Sequence, residues 1–241
     1  MSNLVHYSLA NGVATLVLDD GKRNALSPQM LGQINAAFDR AEADRAIIIL
    51  TGREQVFSAG FDLQVMKSGP LAALRMLRAG YLLTARVLAY PYPVIVACNG
   101  HSLAMGVFLM LSADYVVGTR GDFKISANEV AIGMTIPRVA AAVLRNRLNP
   151  ADFQAAVALA NYFSVEDALR AGFFNELADA QSLMPRAYEL ASEFSKLDMP
   201  SHTKSKRRIR SQLIRSIRRS VPLDLLDALM VGVKASMRSK R

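Results

Sequence analysis

Residues 94–111 read Val-Ile-Val-Ala-Cys-Asn-Gly-His-Ser-Leu-Ala-Met-Gly-Val-Phe-Leu-Met-Leu. Val94 to Cys98 is a short, wholly apolar run that ends at Asn99-Gly100, which predicts a strand buried on both faces. Small residues follow, and Ser102 to Leu111 reads as a compact apolar helix. A strand passing through a small-residue turn into a helix is the repeating step of an α/β fold. The same step occurs upstream, where Ala46 to Thr51 predicts a buried strand, Gly52 to Gly60 a loop, and Leu71 to Tyr90 a helix stopped by Pro91-Tyr92-Pro93.

The flanks fit this pattern. Leu4–Leu9 and Val13–Leu18 predict a hairpin around Asn11-Gly12. Ser27-Pro28 predicts a helix start, with a hydroxyl cap and proline in the first turn. Met30, Leu31, Ile34, Ala37, Phe38 and Ala41 then recur at helical spacing. Tyr115–Thr119 predicts a further strand. Beyond it Pro137–Arg147, Pro150–Asn161, Val165–Ala171 and Ser182–Leu197 predict helices. The last 40 or so residues carry apolar positions at helical spacing from Ile209 to Met230, a face that needs a covering surface, in this chain or another.

Composition narrows the function. At 241 residues, 51% hydrophobic and 20% charged, the chain can build a large core without a staple. Its one cysteine, Cys98, excludes a disulfide framework and a multi-cysteine zinc site, and fits a reducing compartment. A signal peptide is not visible and no apolar run approaches the ~20 residues of a membrane span, so a cytoplasmic protein with no membrane span is expected. The net charge of +9 is uneven. Residues 201–241 hold 12 Lys/Arg against Asp224 and Asp227, whereas residues 1–200 hold 17 Lys/Arg against 18 Asp/Glu. The run from Lys204 to Arg210 reads as a solvated face, a contact for a phosphate-bearing ligand or subunit, or a nucleic-acid contact. The last is weakened because no aromatic residue follows Phe194.

Familiar cofactor loops are missing: there is no phosphate-loop or dinucleotide glycine signature, no His-Glu-x-x-His and no Gly-x-Ser-x-Gly. Two strand-to-helix junctions remain, Phe57-Ser58-Ala59-Gly60-Phe61-Asp62-Leu63 and Asn99 to Gly106. Their small residues let backbone approach a ligand. Met105, in the first helical turn, has an N–H with no intrahelical partner, and two such groups converging on one oxygen form an oxyanion hole. Packed turns without a ligand are the alternative.

With Lys22-Arg23-Asn24-Ala25-Leu26 before them and Asn128-Glu129-Val130-Ala131-Ile132-Gly133-Met134-Thr135-Ile136-Pro137 after, these segments resemble, in order and spacing, the crotonase (enoyl-CoA hydratase/isomerase) superfamily. The resemblance implies a spiral of ββα units over residues 1–195, a basic helical segment over 196–241 packing on its own or a neighbouring subunit, and assembly as a homotrimer or dimer of trimers. It implies acyl-CoA substrates and no cofactor beyond the coenzyme A of the substrate. By position, Ala59 and Met105 supply the oxyanion N–H groups, Ser58, Ala59, Gly60, Phe61 and Asp62 line the CoA-binding turn, and Lys22 and Arg23 lie near the CoA phosphates. Met105 stands where family enzymes often have glycine, so its side chain narrows the acyl slot. Family hydratases use two glutamates. Here the first position is Phe108, which is core or a wall of the acyl pocket, and the second is Glu129. One carboxylate suffices to take a proton from C2 and return it to C4, so the pattern resembles the single-glutamate 3,2-enoyl-CoA isomerases. A hydratase, another crotonase-type thioester enzyme, and a non-catalytic acyl-CoA- or RNA-binding relative are the alternatives. His101 is expected to be structural, Arg75, Arg78 and Arg86 to form a solvated face, and Asp62 to face a ligand or cap the next helix.

Overall fold

In the computed structural model, which describes residues 2–238 and the side chains of residues 2–230, the apolar runs pair side by side. The chain begins with a hairpin of β1 (Val5–Ala10) and β2 (Val13–Leu18), then β3 (Ala25–Leu26) and α1 (Pro28–Ala43). Next come β4 (Ile47–Thr51), β5 (Gln55–Ser58), β6 (Gly60–Phe61), α2 (Leu63–Lys67) and α3 (Pro70–Ala89). The pattern repeats in β7 (Val94–Cys98), β8 (Gly100–Leu103) and α4 (Met105–Leu111), and again in β9 (Tyr115–Thr119), β10 (Ile125–Ser126) and α5 (Arg138–Arg147). The chain closes with α6 (Pro150–Ala158), α7 (Val165–Ala171), β11 (Glu176–Ala178), α8 (Leu183–Ser195) and α9 (Met199–Arg238).

Two sheets organise the spiral. The larger has the order β1-β2-β4-β7-β9-β11, antiparallel in the hairpin and parallel elsewhere. After β4, β7 and β9 the chain adds a strand to a second, parallel sheet of order β10-β8-β5 before entering a helix. Side chains alternate across the large sheet. Ile48, Leu50, Val94, Val96 and Val116 face the main core, while Ile47, Ile49, Ile95, Ala97 and Val117 face α8 through Leu183, Ala187 and Leu190.

Local chemistry sets the predicted boundaries. Asn11 (φ 50°) and Gly12 (φ 74°) supply the left-handed pair that a two-residue hairpin turn requires. Ser27 Oγ accepts from Met30 N at 3.2 Å to start α1. Two expectations need correction. The segment 52–60 is not all loop, because β5 pairs with β8 there. The helix expected from Ser102 begins at Met105, since Gly100–Leu103 is strand. The C-terminal apolar stretch is one helix, α9, with Pro222 inside it.

β5 and β8 approach closely only because position 100 lacks a side chain. A Cβ on Gly100 would lie 1.9 Å from the carbonyl carbon and oxygen of Gln55. Gly100→Ala is expected to cost about 3 kcal/mol in urea denaturation, because backbone rather than a flexible side chain must yield. Stability within error of the parent would show that the strands separate freely.

α9 packs on α3 and α5, burying Ile217 and Val221 in the main core. Part of the basic run is interior, so the solvated-face reading holds for only some of its residues. Lys206, 4% exposed, donates to Asp114 at 2.6 Å and to the Tyr92 carbonyl at 3.0 Å, and Arg210 pairs with Asp114 at 3.0 Å. Lys204, Arg207, Arg208, Arg215, Arg218 and Arg219 are exposed. Farther along, Asp224 accepts from Arg138 N and Val139 N, both at 2.9 Å, and so caps α5 from another helix. Arg75 and Arg78 are exposed, but Arg86 is held by Asn35 and Asp39.

Candidate active site

Because β5, β8 and β10 run parallel, their carboxyl ends meet at one edge. Just beyond those ends come Ala59–Asp62, Ala104–Met105 and Ala127–Glu129. Loops outside the carboxyl ends of parallel strands are the usual place for a ligand in such sheets.

The turn after β5 is held from below. Asn24, fully buried, donates through Nδ2 to the carbonyls of Leu18 (2.8 Å), Val56 (3.2 Å) and Phe57 (3.2 Å). Ser58 Oγ donates to the Asn24 carbonyl at 2.7 Å and accepts from Gly60 N at 3.2 Å. Ser58 therefore builds the turn rather than presenting its hydroxyl to a ligand. The Ala59 N–H donates to the Arg23 carbonyl at 3.0 Å. That corrects the expected donor: an amide already bonded within the chain is not free for a substrate oxygen. Asp62 caps α2, its Oδ1 accepting from Gln64 N at 2.8 Å.

Gly60, at φ +88°, brings this turn against the start of α4. Its Cβ would lie 3.0 Å from the Leu103 carbonyl oxygen and 3.2 Å from Met105 N. The Met105 N–H has no acceptor among the described residues. Ala104 just before it adopts φ 48°, ψ −124°, a left-handed geometry unusual for alanine, while its N–H donates to the Ser126 carbonyl at 2.9 Å.

α3 forms the opposite wall. A Cβ on Gly80 would meet the Phe61 ring at 2.5 Å and the Met105 terminal methyl at 3.5 Å. Both side chains thus reach into the notch that Gly80 leaves. Phe61 also packs edge-on against Tyr81, with ring centroids 5.8 Å apart. Phe108 lies within the main core and is 1% exposed.

Glu129 is 5% exposed, and its Oε2 has no hydrogen-bond partner among the described residues. Burial pushes its carboxyl up to about 7, against the opposing pull of a backbone hydrogen bond. The burial does not come from its sequence neighbours, since Val130, Ala131 and Ile132 are exposed. It comes from tertiary packing.

Lys22 and Arg23 are exposed at the rim. Their carbonyls are tied down, Lys22 by Arg53 (3.0 Å) and Arg23 by Ala59, so the basic pair stands beside the β5 turn. His101 accepts from Lys124 N at 2.9 Å through Nδ1, a structural contact. Burial pushes the Cys98 thiol up to about 12, which leaves it inert as a nucleophile. Among the described residues there is no cluster of His, Cys, Asp and Glu that could hold a metal, and no helix long and apolar enough to cross a membrane. Sequence reasoning missed Asn24 as the brace of the turn, Asp224 as a cap, and Tyr81 and Gly80 as walls.

Known proteins share this chain's sequence pattern and fold. A profile of the enoyl-CoA hydratase/isomerase family matches residues 8–220. A carnitinyl-CoA dehydratase of Citrobacter koseri is 28% identical over 196 residues, which are 80% of this chain and 75% of that protein. The crystal structure of an enoyl-CoA hydratase/isomerase family protein from Pseudomonas syringae superposes with a TM-score of 0.91 at 42% identity, covering 92% of this chain and 97% of that one. An apo structure described as a Mycobacterium tuberculosis enoyl-CoA isomerase gives 0.89 at 41% identity, covering 93% and 98%.

Proposed function

The chain belongs to the enoyl-CoA hydratase/isomerase family of the crotonase superfamily, and from that premise we propose that it converts 3-enoyl-CoA to 2-trans-enoyl-CoA. The observation that carries this reading is Glu129: one buried carboxyl, poised near neutrality, with a free oxygen at the edge where the Met105 amide is unspent. The thioester oxygen accepts from Met105 N–H and, in place of Ala59, from Phe61 N–H, the first amide past the two that the turn consumes. That pair stabilises negative charge as C2 loses its proton. Glu129 takes the proton from C2 and returns it to C4, and the double bond moves into conjugation with the thioester. No second carboxylate is needed, and Phe108 offers none. Lys22 and Arg23 at the rim meet the CoA phosphates, and the Met105 and Phe61 side chains narrow the acyl slot. The assembly this reading expects is a trimer or pair of trimers, with the exposed Leu223, Leu226 and Met230 of α9 facing a neighbouring subunit.

The test is product analysis with a trans-3-enoyl-CoA across pH. A 2-trans-enoyl-CoA is expected, and kcat/KM is expected to fall as pH drops through about 7, because only the ionised carboxylate accepts the C2 proton. An unchanged substrate rules out the isomerase. A profile flat from about pH 5 to 8 rules out Glu129 as its base.

A further inference from the structure

Half-buried Asp20 follows β2 and spends both carboxylate oxygens on the loop beyond it. Oδ1 accepts from Lys22 N at 2.7 Å and Asn24 N at 2.8 Å, and Oδ2 accepts from Ala25 N at 3.0 Å. Its own N–H donates to Asn24 Oδ1 at 3.0 Å, which closes the ring from the other side. The loop needs such bracing, because Asn24 holds φ 51° in the left-handed region. Burial opposes the charge, yet those three amides and the Arg53 guanidinium hold the carboxyl below the usual carboxylate range. Asp20 therefore stays ionised wherever Glu129 titrates. The segment so fixed is the one on which the β5 turn rests. The Arg23 carbonyl takes the Ala59 N–H, the Asn24 carbonyl takes the Ser58 hydroxyl, and Ala25 and Leu26 pair with Gly60 and Phe61. Gly60 in turn stands against Met105 N. Residues 23–26 thus set residues 58–61, and with them the spacing of the two proposed oxyanion amides.

We propose that Asp20 is a positioning residue of the oxyanion site: by holding the amides of Lys22, Asn24 and Ala25 it fixes residues 23–26, and through them the aim of the Phe61 N–H at the thioester oxygen opposite Met105. The proposal rests on the acyl-CoA reading of the site. Asp20 acts through the main chain alone and moves no proton in the reaction. The neighbouring carboxylate does not duplicate it: Asp19 Oδ1 accepts from Gly21 N at 2.8 Å and pairs with Arg53 at 3.2 Å, short of residues 23–26. The same loop carries Lys22 and Arg23, so one carboxylate registers the phosphate end of the ligand against its thioester end. Negative charge on the thioester oxygen grows only as C2 loses its proton. A misaimed amide therefore loses more in the transition state than in the ground state, and the loss falls on kcat rather than on affinity.

The experiment compares the full chain with Asp20→Asn, which keeps the shape but turns one acceptor into a donor, and with Asp20→Ala, which removes both acceptors. Each protein is saturated with an acyl-CoA carrying carbon-13 at the thioester carbonyl, and the infrared band of the bound ligand is read. The same proteins are assayed with a trans-3-enoyl-CoA and with the matching pantetheine thioester, which lacks the nucleotide phosphates. In the wild type the two amides are expected to move the carbonyl band to lower frequency. That shift is expected to shrink in Asp20→Asn and further in Asp20→Ala. In the alanine variant kcat is expected to fall roughly 10²-fold on both thioesters, the effect of an ångström-scale misplacement. A band shift of wild-type size in both variants overturns the proposal, whatever their thermal midpoints, because a purely structural role lowers stability without changing how a bound carbonyl is polarised. A loss confined to affinity for the CoA ester also overturns it, since Lys22 and Arg23 alone would then be displaced. Should Asp20→Ala not fold, Asp20→Asn decides. Failure of the acyl-CoA reading shows in the wild type itself, as an unshifted band. A wild type that shifts the band but leaves the 3-enoyl-CoA unconverted sinks only the isomerase, and the band then decides alone.

Discussion

Glu129→Gln is expected to slow isomerisation by about 10²–10⁴-fold while acyl-CoA affinity stays close to wild type, because an amide occupies the same space and cannot accept the C2 proton. The same substitution is expected to make the protein more stable above neutral pH. In the folded chain the carboxyl titrates near about 7, against 4.5 for the ordinary group. Between these values the folded state retains a proton that the unfolded state has released. Stability therefore falls as pH rises through that window, and it stays at the lower level above it. Removing the ionisable group removes a penalty of about 3 kcal/mol at pH 8 and almost none at pH 4. Urea denaturation of both proteins at the two pH values measures it. A gain of equal size at both would show that burial of the charge is not its source.

Asp114→Ala is expected to be the most damaging change away from the site. Asp114 accepts from Val94 N at 2.7 Å and pairs with Lys206 and Arg210. The alanine leaves the buried Lys206 and the half-buried Arg210 without their carboxylate and one backbone amide without an acceptor. Breaking a buried pair from one side costs about 3–5 kcal/mol. Burial already pulls the Lys206 ammonium down to about 8 despite its carboxylate partner, so it tolerates little further loss. Adding Lys206→Met to Asp114→Ala is expected to restore part of the stability, since the stranded charge goes too. A double variant as unstable as the sum of the singles would place the loss at Val94 or Arg210 instead.

What the sequence made legible were features with a local cause. The hairpin turn, the Ser27 cap and the long buried strands each depend on residues a few positions apart. The strands of two to four residues, β3, β5, β6, β8, β10 and β11, are too short to show a period. They exist because a distant partner pairs with them. Gly100–Leu103 merged with the helix after it for that reason. Within the site, the position of Met105 at a helix start was legible, but the fate of the Ala59 amide was decided by a carbonyl 36 positions earlier in the chain. Burial of Glu129 was likewise set by packing from afar, and Tyr81 on α3 looked like any core aromatic. The tail did carry an overlooked signal. Lys206, Arg210, Leu213, Ile217, Val221 and Asp224 follow one another at steps of three or four, one helical face, so the two cations share a stripe with buried aliphatics.

The backbone at Ala104 has a consequence for turnover. A non-glycine residue in so sparsely populated a region stores about 1–3 kcal/mol, held there by its neighbours. Here the contact with Ser126 and the close approach of Gly60 do the holding. The orientation of the next amide is thereby settled during folding, before any thioester arrives. Reorganisation that a looser peptide would undergo while the barrier is being crossed has already been completed.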